Sequence, residues 1–155
     1  MTTKNTDLVA NFEATPQVAN SAAELAGVLR TAHGSVELAA GDSTDNDIVM
    51  LAPIPSNASV PTLFVGSDTF GGSCTFNVGI YKTDGTVKDE DVFATSVADA
   101  AAMADVRYEA ADLNTGSKKL WELAGDSEDP GGYFYIAITF NATGGTAGTL
   151  NWNIS

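Results

Sequence analysis

Positive charge is what this chain has least of. Seven Lys and Arg stand against twenty Asp and Glu, a formal net charge of −13. Affinity for nucleic acid comes largely from neutralising phosphates with clustered cations. Here the cations are scattered, and only Lys118 and Lys119 are adjacent, so neither DNA nor RNA is an expected partner. Anionic membrane surfaces are excluded on the same ground. Histidine is as scarce: His33 stands alone, which cannot build the usual zinc sites, and neither H-E-x-x-H nor G-x-S-x-G occurs. The single cysteine, Cys74, cannot close an intrachain disulfide, and the fold needs no oxidising compartment. A nucleophilic role for Cys74 would want a histidine and an electropositive pocket. A buried free thiol is the plainer expectation. No apolar run approaches the ~20 residues a membrane span needs, and Met1 to Ala10 has no apolar run of signal-peptide length. Rossmann and P-loop glycine patterns are missing, as is any repeat period.

What the chain does have is turn chemistry. Fifteen glycines with abundant Thr, Ser, Asn and Asp favour short strands joined by turns, and 155 residues suffice for one core without staples. Ser35 to Ala39 alternates. Ile48 to Ile54 is a continuous apolar run closed by Pro53 and Pro55, and Val60 to Val65 follows, with Pro61 holding it to an edge. Cys74 to Tyr81 alternates cleanly, with Cys74, Phe76, Val78 and Ile80 on one face. T-D-G-T turns the chain toward Asp91 to Ser96. Val106 to Ala110 alternates again. Ser117 to Ala124 has helical spacing, stopped by D-S-E-D-P-G-G. Tyr133 to Phe140 is the strongest strand, and Leu150, Trp152 and Ile154 alternate to the end. Seven or eight strands with turn signals between them predict a mainly β chain, an antiparallel β-sandwich of jelly-roll or immunoglobulin-like type.

The first thirty residues differ. Met1 to Asn20 sustains no periodicity and reads as an extended arm. Ser21 and Glu24 fit a capping box for a short helix reaching Leu29. The expected organisation is an arm over residues 1–33 and a sandwich domain over 34–155.

Chemistry-bearing groups are few. Acids cluster at Asp42, Asp45 and Asp47, at Asp84, Asp89, Glu90 and Asp91, and from Asp126 to Asp129. Polar turns carry aspartate for local hydrogen bonding, and that is the reading preferred. A calcium site at Asp84, Asp89 and Asp91 is the alternative, although neither of the first two clusters fits an EF-hand loop. Paired carboxylates suggest glycosidases, but with twenty acids coincidental pairs are certain. The expectation is no enzyme, no cofactor and no resident metal. Trp121, Trp152, Tyr133 and Tyr135 are candidates for sugar stacking. The plainer reading makes Trp152 core and lets the outward tyrosines cover a sheet face.

The stretches T-D-N-D-I-V-M-L-A-P-I-P-S-N-A, N-V-G-I-Y-K-T-D-G-T-V-K-D-E-D-V-F-A-T and D-P-G-G-Y-F-Y-I-A-I-T-F, with A-H-G-S-V-E-L before them, resemble a family of tailed-bacteriophage structural proteins. Its members are encoded beside the major capsid protein and regarded as head decoration, or cement, proteins. The resemblance covers roughly Ser35 to the C-terminus and carries no catalytic signature. It implies a β-sandwich on the outer surface of the capsid in the virion, bridging neighbouring major capsid proteins, and a homo-oligomer, with a trimer favoured by threefold positions. Within that frame the arm is the expected capsid-binding element, through Leu8, Val9, Phe12, Leu25, Val28, Leu29 and Arg30, since a polar arm that orders on binding can cover a wide surface. The competing class is a carbohydrate- or host-receptor-binding β-sandwich of head-fibre or adhesin kind. Exposed aromatics converging on one loop face would mark it.

Overall fold

The computed structural model describes residues 7–19, 28–100, 102–108 and 113–155. The chain divides into two compact units, Met1–Arg30 and Thr31–Ser155.

In the first unit, expected as an extended arm with a short helix near its end, one described segment is helical. Asp7–Glu13 forms a helix, α1. In sequence, Leu8 and Phe12 are four residues apart, a helical spacing. One such pair is too short a pattern to register as periodicity. A cis peptide joins Thr15 to Pro16, and Val18 N donates to Asn11 O at 3.1 Å. The capping box at Ser21 and Glu24 lies outside the described residues. Val28 to Arg30, the end of that expected helix, have no regular secondary structure.

Among its described residues the second unit is mainly β: β1 (Ala32–Leu38), β2 (Ile48–Pro55), β3 (Leu63–Ser67), β4 (Thr75–Lys82), β5 (Val87–Ala98), β6 (Ala104–Asp105), β7 (Tyr133–Phe140) and β8 (Gly148–Ile154), with one helical turn, α2 (Leu120–Leu123), between β6 and β7. These make two four-stranded sheets, ordered β1-β8-β3-β6 and β2-β7-β4-β5. Every paired strand is antiparallel. The expected strand after Pro61 begins later, at Leu63, so the proline stays out of the ladder where it would remove a donor. The expected strand from Val106 is replaced by β6, which ends before Arg107 turns inward.

Period-two alternation explains the core. On β7, Phe134, Ile136, Ile138 and Phe140 are buried and stand opposite Ile80, Val78 and Phe76 of β4 through the register Ile136↔Ile80, Ile138↔Val78, Phe140↔Phe76. From the other sheet, Leu63, Val65, Leu150 and Ile154 join the same apolar cluster. One core thus fills the space between two sheets, as in a β-sandwich. Phe140 meets Phe70 edge-on at 5.5 Å and Phe76 at 6.0 Å. Each such side chain, fully buried, contributes about 1.5–3 kcal/mol.

Two features deform this regular frame. Along β5 the register jumps from Val78↔Ala94 to Ile80↔Asp89, so β5 carries extra residues exactly opposite Gly79. A Cβ on Gly79 would lie 2.1 Å from the Asp89 carbonyl oxygen; only glycine lets the bulged strand pass so close. The second is Arg107, which is fully buried. Its Nε donates to Val60 O at 2.8 Å and its Nη2 to Thr115 O at 3.2 Å. The guanidinium lies over the rings of Phe93 and Tyr108, 4.8 and 4.7 Å from their centroids. It ties the segment after β6 to the loop before β3.

Candidate functional site

The acids come first, because they outnumber every other reactive group. Many of them accept hydrogen bonds from backbone amides, within their own turn or from a distant strand. Asp42 accepts from Ala39 N at 2.9 Å, Asp84 from Thr86 N at 2.8 Å, and Asp99 from Phe70 N at 2.7 Å. Asp68 accepts from Thr149 N at 3.0 Å. Asp129 accepts from the Ser56 hydroxyl at 2.6 Å and from Gly131 N at 2.9 Å. At three of the acids, bonds of this kind favour the ionised form. The Thr44 hydroxyl and amide hold the Asp47 carboxyl below its usual range, the Thr86 amide does so for Asp84, and the Ser56 hydroxyl for Asp129. Asp89 moves the other way: burial raises it, and the neighbouring Asp91 and Glu90 add to the rise. Asp84 therefore belongs to its own turn, while Asp89 and Asp91 stay together on β5, linked through Asp91 N at 3.3 Å. Among the described residues no group of three His, Cys, Asp or Glu side chains is placed to hold a metal.

Cys74 is buried, and its thiol donates to Ala142 O at 3.2 Å. Burial raises its pKa, and Asp99 adds to the rise; both oppose thiolate formation. His33 stands exposed on β1, opposite Asn153, in the other sheet from the strand that Cys74 precedes. Of the aromatics, Trp152 packs against the core, over Gly34, whose Cβ would sit 2.9 Å from the indole. Trp121 also packs against the core from α2. Of the residues expected to bind from the arm, Val9, Val28, Leu29 and Arg30 are exposed, Leu8 and Phe12 belong to α1, and Leu25 lies outside the described residues.

Two surfaces emerge that residue patterns alone did not bring together. The first runs along β2, an edge strand. Residues directly opposite in an antiparallel pair share a face, and the register sets Ile48, Met50, Pro53 and Pro55 against Thr139, Ala137, Tyr135 and Tyr133. Ile48 is 44% and Met50 39% exposed. No charged residue occurs in either strand, I-V-M-L-A-P-I-P or Y-F-Y-I-A-I-T-F, on a chain with twenty acids. The outer face of the opposite sheet carries His33, Ser35 and Glu37 of β1, all exposed. Along the β2 edge itself, Pro53 and Pro55 lack donors, and the register shifts at Leu51, so a further strand cannot add along its full length. What β2 offers a partner is its face.

The second surface is a cleft of about 300 Å³ where the β4–β5 turn meets the loop before β7, lined by Lys82, Thr83, Asp84, Lys88, Asp126, Pro130, Gly131, Tyr133 and Phe134. Lys88 Nζ and Asp126 Oδ1 form an ion pair at 2.6 Å within it. A shallower hollow of about 370 Å³ lies beside the β2 edge, lined by Leu38, Gly41, Asp42 and Asp47 to Met50.

No protein-family model matches the chain, and no curated protein matches it either. Function must therefore be argued from these surfaces. The cleft was not visible in the sequence because Tyr133 and Lys82 lie fifty-one residues apart, and only the β4–β7 pairing of Lys82 with Phe134 makes them neighbours.

Proposed function

We propose that the chain is a non-enzymatic structural protein that decorates the outside of a tailed-bacteriophage head, bridging neighbouring major capsid proteins. The observation that carries this reading is the uncharged, partly exposed strip of Ile48, Met50 and Pro53 on an otherwise acidic protein. An apolar patch rimmed by polar residues is the mark of a protein-binding surface. A net charge of −13 keeps the remainder soluble and turned to water.

The strand order supports a jelly roll over an immunoglobulin-like sandwich. Lay the chain out as one long hairpin, with β1 against β8, β2 against β7, β3 against β6 and β4 against β5. Rolling that ribbon into two layers joins β8 to β3 and β7 to β4, and all six pairings occur. Jelly rolls serve in viral capsids and in lectins, so the fold agrees with a head protein without deciding the matter. The sequence resemblance to head decoration proteins adds the location, on the outer capsid surface in the virion. The use of acids in turns, and a lone cysteine held as a protonated hydrogen-bond donor, agree with a protein that does no chemistry.

In this reading Met1–Arg30 is a second contact, an arm that lies across the shell and offers Leu8, Val9, Phe12, Leu25, Val28, Leu29 and Arg30. A homotrimer at threefold positions would multiply weak contacts on one lattice. Co-sedimentation with purified capsid shells tests it. The full chain pellets with shells, a chain of residues 31–155 stays in the supernatant, and Met50→Glu weakens binding about tenfold by burying a carboxylate at the contact. Undiminished pelleting of the 31–155 chain sinks the role of the arm. A full chain that stays in solution sinks the whole reading.

A further inference from the structure

We propose that the cleft between the β4–β5 turn and the loop before β7 is a binding site for a neutral saccharide, at the Tyr133 end of the sheet face that carries the shell-binding strip. At about 300 Å³ it lies at the lower end of the range for small-molecule sites, enough for a sugar ring rather than a polymer groove. Its lining is unusual for this chain. Lys82 and Lys88 face Asp84 and Asp126, two ammoniums balanced by two carboxylates on a body of net charge −13. Such a site repels neither sign and attracts neither strongly. What it supplies is donors and acceptors side by side, the complement of hydroxyl groups that both donate and accept.

The aromatic supplies the other half of the recognition. Tyr133 is 58% exposed, while its neighbour Phe134 is 4% exposed, because the alternation of β7 sends the tyrosine outward. Its ring offers a flat apolar surface with a polar tip, and the C–H face of a pyranose matches that surface. Among the described residues, neither the Lys82 ammonium nor the Tyr133 hydroxyl has a hydrogen-bond partner, so both are available to a ligand.

The walls are set before any ligand arrives. On one side, Lys82 N donates to Thr86 O at 2.8 Å and Gly85 N to Lys82 O at 3.0 Å, and Thr86 N is held by Asp84. On the other, Asp126 N donates to Trp121 O at 3.0 Å, and Asp129 receives both the Ser56 hydroxyl and Gly131 N. The Lys88–Asp126 pair, its side chains 20% and 24% exposed, ties β5 to the second wall. A ligand entering this cleft finds the turns already ordered, which removes much of the entropic cost of binding.

The test is titration of the full chain with neutral oligosaccharides built from glucose, galactose, mannose or N-acetylglucosamine, beside a sialylated set, by calorimetry and saturation-transfer NMR. One neutral sugar should bind with a Kd of about 1 mM or tighter. Tyr133→Ala should weaken it about tenfold through lost stacking area, Tyr133→Phe should weaken it less because the ring stays and only the hydroxyl contact goes, and Asp126→Asn with Lys88→Met should abolish it. Because Tyr133 is exposed, circular dichroism of Tyr133→Ala should match the unaltered chain. A chelator should change nothing. Silence across the neutral set, binding confined to sialylated glycans, loss of binding with chelator, or full affinity in Tyr133→Ala would each overturn the proposal. None of these outcomes depends on whether the chain binds capsid shells.

Discussion

Gly79→Ala should be among the most damaging single-methyl additions in the protein. The new Cβ would lie 2.1 Å from Asp89 O, 2.3 Å from the Glu90 carbonyl carbon and 2.5 Å from Glu90 Cα. All three are backbone atoms, so no rotamer change relieves the overlap, and the bulged segment of β5 must move by more than an ångström. Overpacking of this kind costs about 1–3 kcal/mol. Displacing β5 also strains its ladder with β4, where each bond is worth about 1 kcal/mol. The combined loss should be about 3 kcal/mol or more. Urea unfolding of the full chain, followed by tryptophan fluorescence, gives the number. Gly85→Ala is the control: its φ is +86° but nothing lies within 4 Å of the new Cβ, so it should cost about 1 kcal/mol of left-handed strain alone. A Gly79→Ala protein as stable as Gly85→Ala would refute the close crossing of β5 over β4.

Two further predictions concern charged side chains. Arg107→Met should destabilise by about 2–4 kcal/mol, because Val60 O and Thr115 O lose their donors in a buried setting, and Arg107→Lys should fail to restore it, since an ammonium cannot serve both carbonyls and stack flat on two rings; urea midpoints decide, and a neutral Arg107→Met would mean the buried cation is a net cost. Stability should also depend on pH in two opposite ways. Asp47, Asp84 and Asp129 lie below their ordinary 3.8, so their contribution is present above that value and is lost as pH falls through their folded values. Asp89 lies above 3.8, so its ionisation opposes folding at neutral pH. Asp89→Asn should therefore stabilise at pH 7 and lose that advantage below 3.8, a crossover that thermal melts across pH would register or deny.

The sheets were legible because their signal is local. Tyr133 to Phe140 alternates without a break, and a period of two needs only a handful of residues to declare which face is buried. Cys74, Phe76, Val78 and Ile80 were legible for the same reason. Elements of no more than two periods were not. α1 rests on one i, i+4 pair, and β6 is two residues long, its place in the sheet set by pairing with Phe64 and Val65 far upstream. Gly79 was visible as a glycine inside an alternating strand, but not the chain that crosses it. The functional surfaces were hidden in a different way. Ile48 to Ile54 reads as a core strand by composition, and only the sheet order, which leaves β2 at an edge, turns Ile48 and Met50 outward. Arg107 gave no signal at all: a lone arginine in V-R-Y-E-A looks solvent-facing until the fold closes over it.

The proposal that this chain decorates a phage head rests most directly on how many copies a particle carries. Quantitative mass spectrometry of purified virions, with the major capsid protein as the internal reference, measures that ratio. Decoration through β2 and the arm predicts a copy number comparable to that of the major capsid protein. Its absence from particles, or only a handful of copies in each, would contradict the account and point instead to a fibre or tail component.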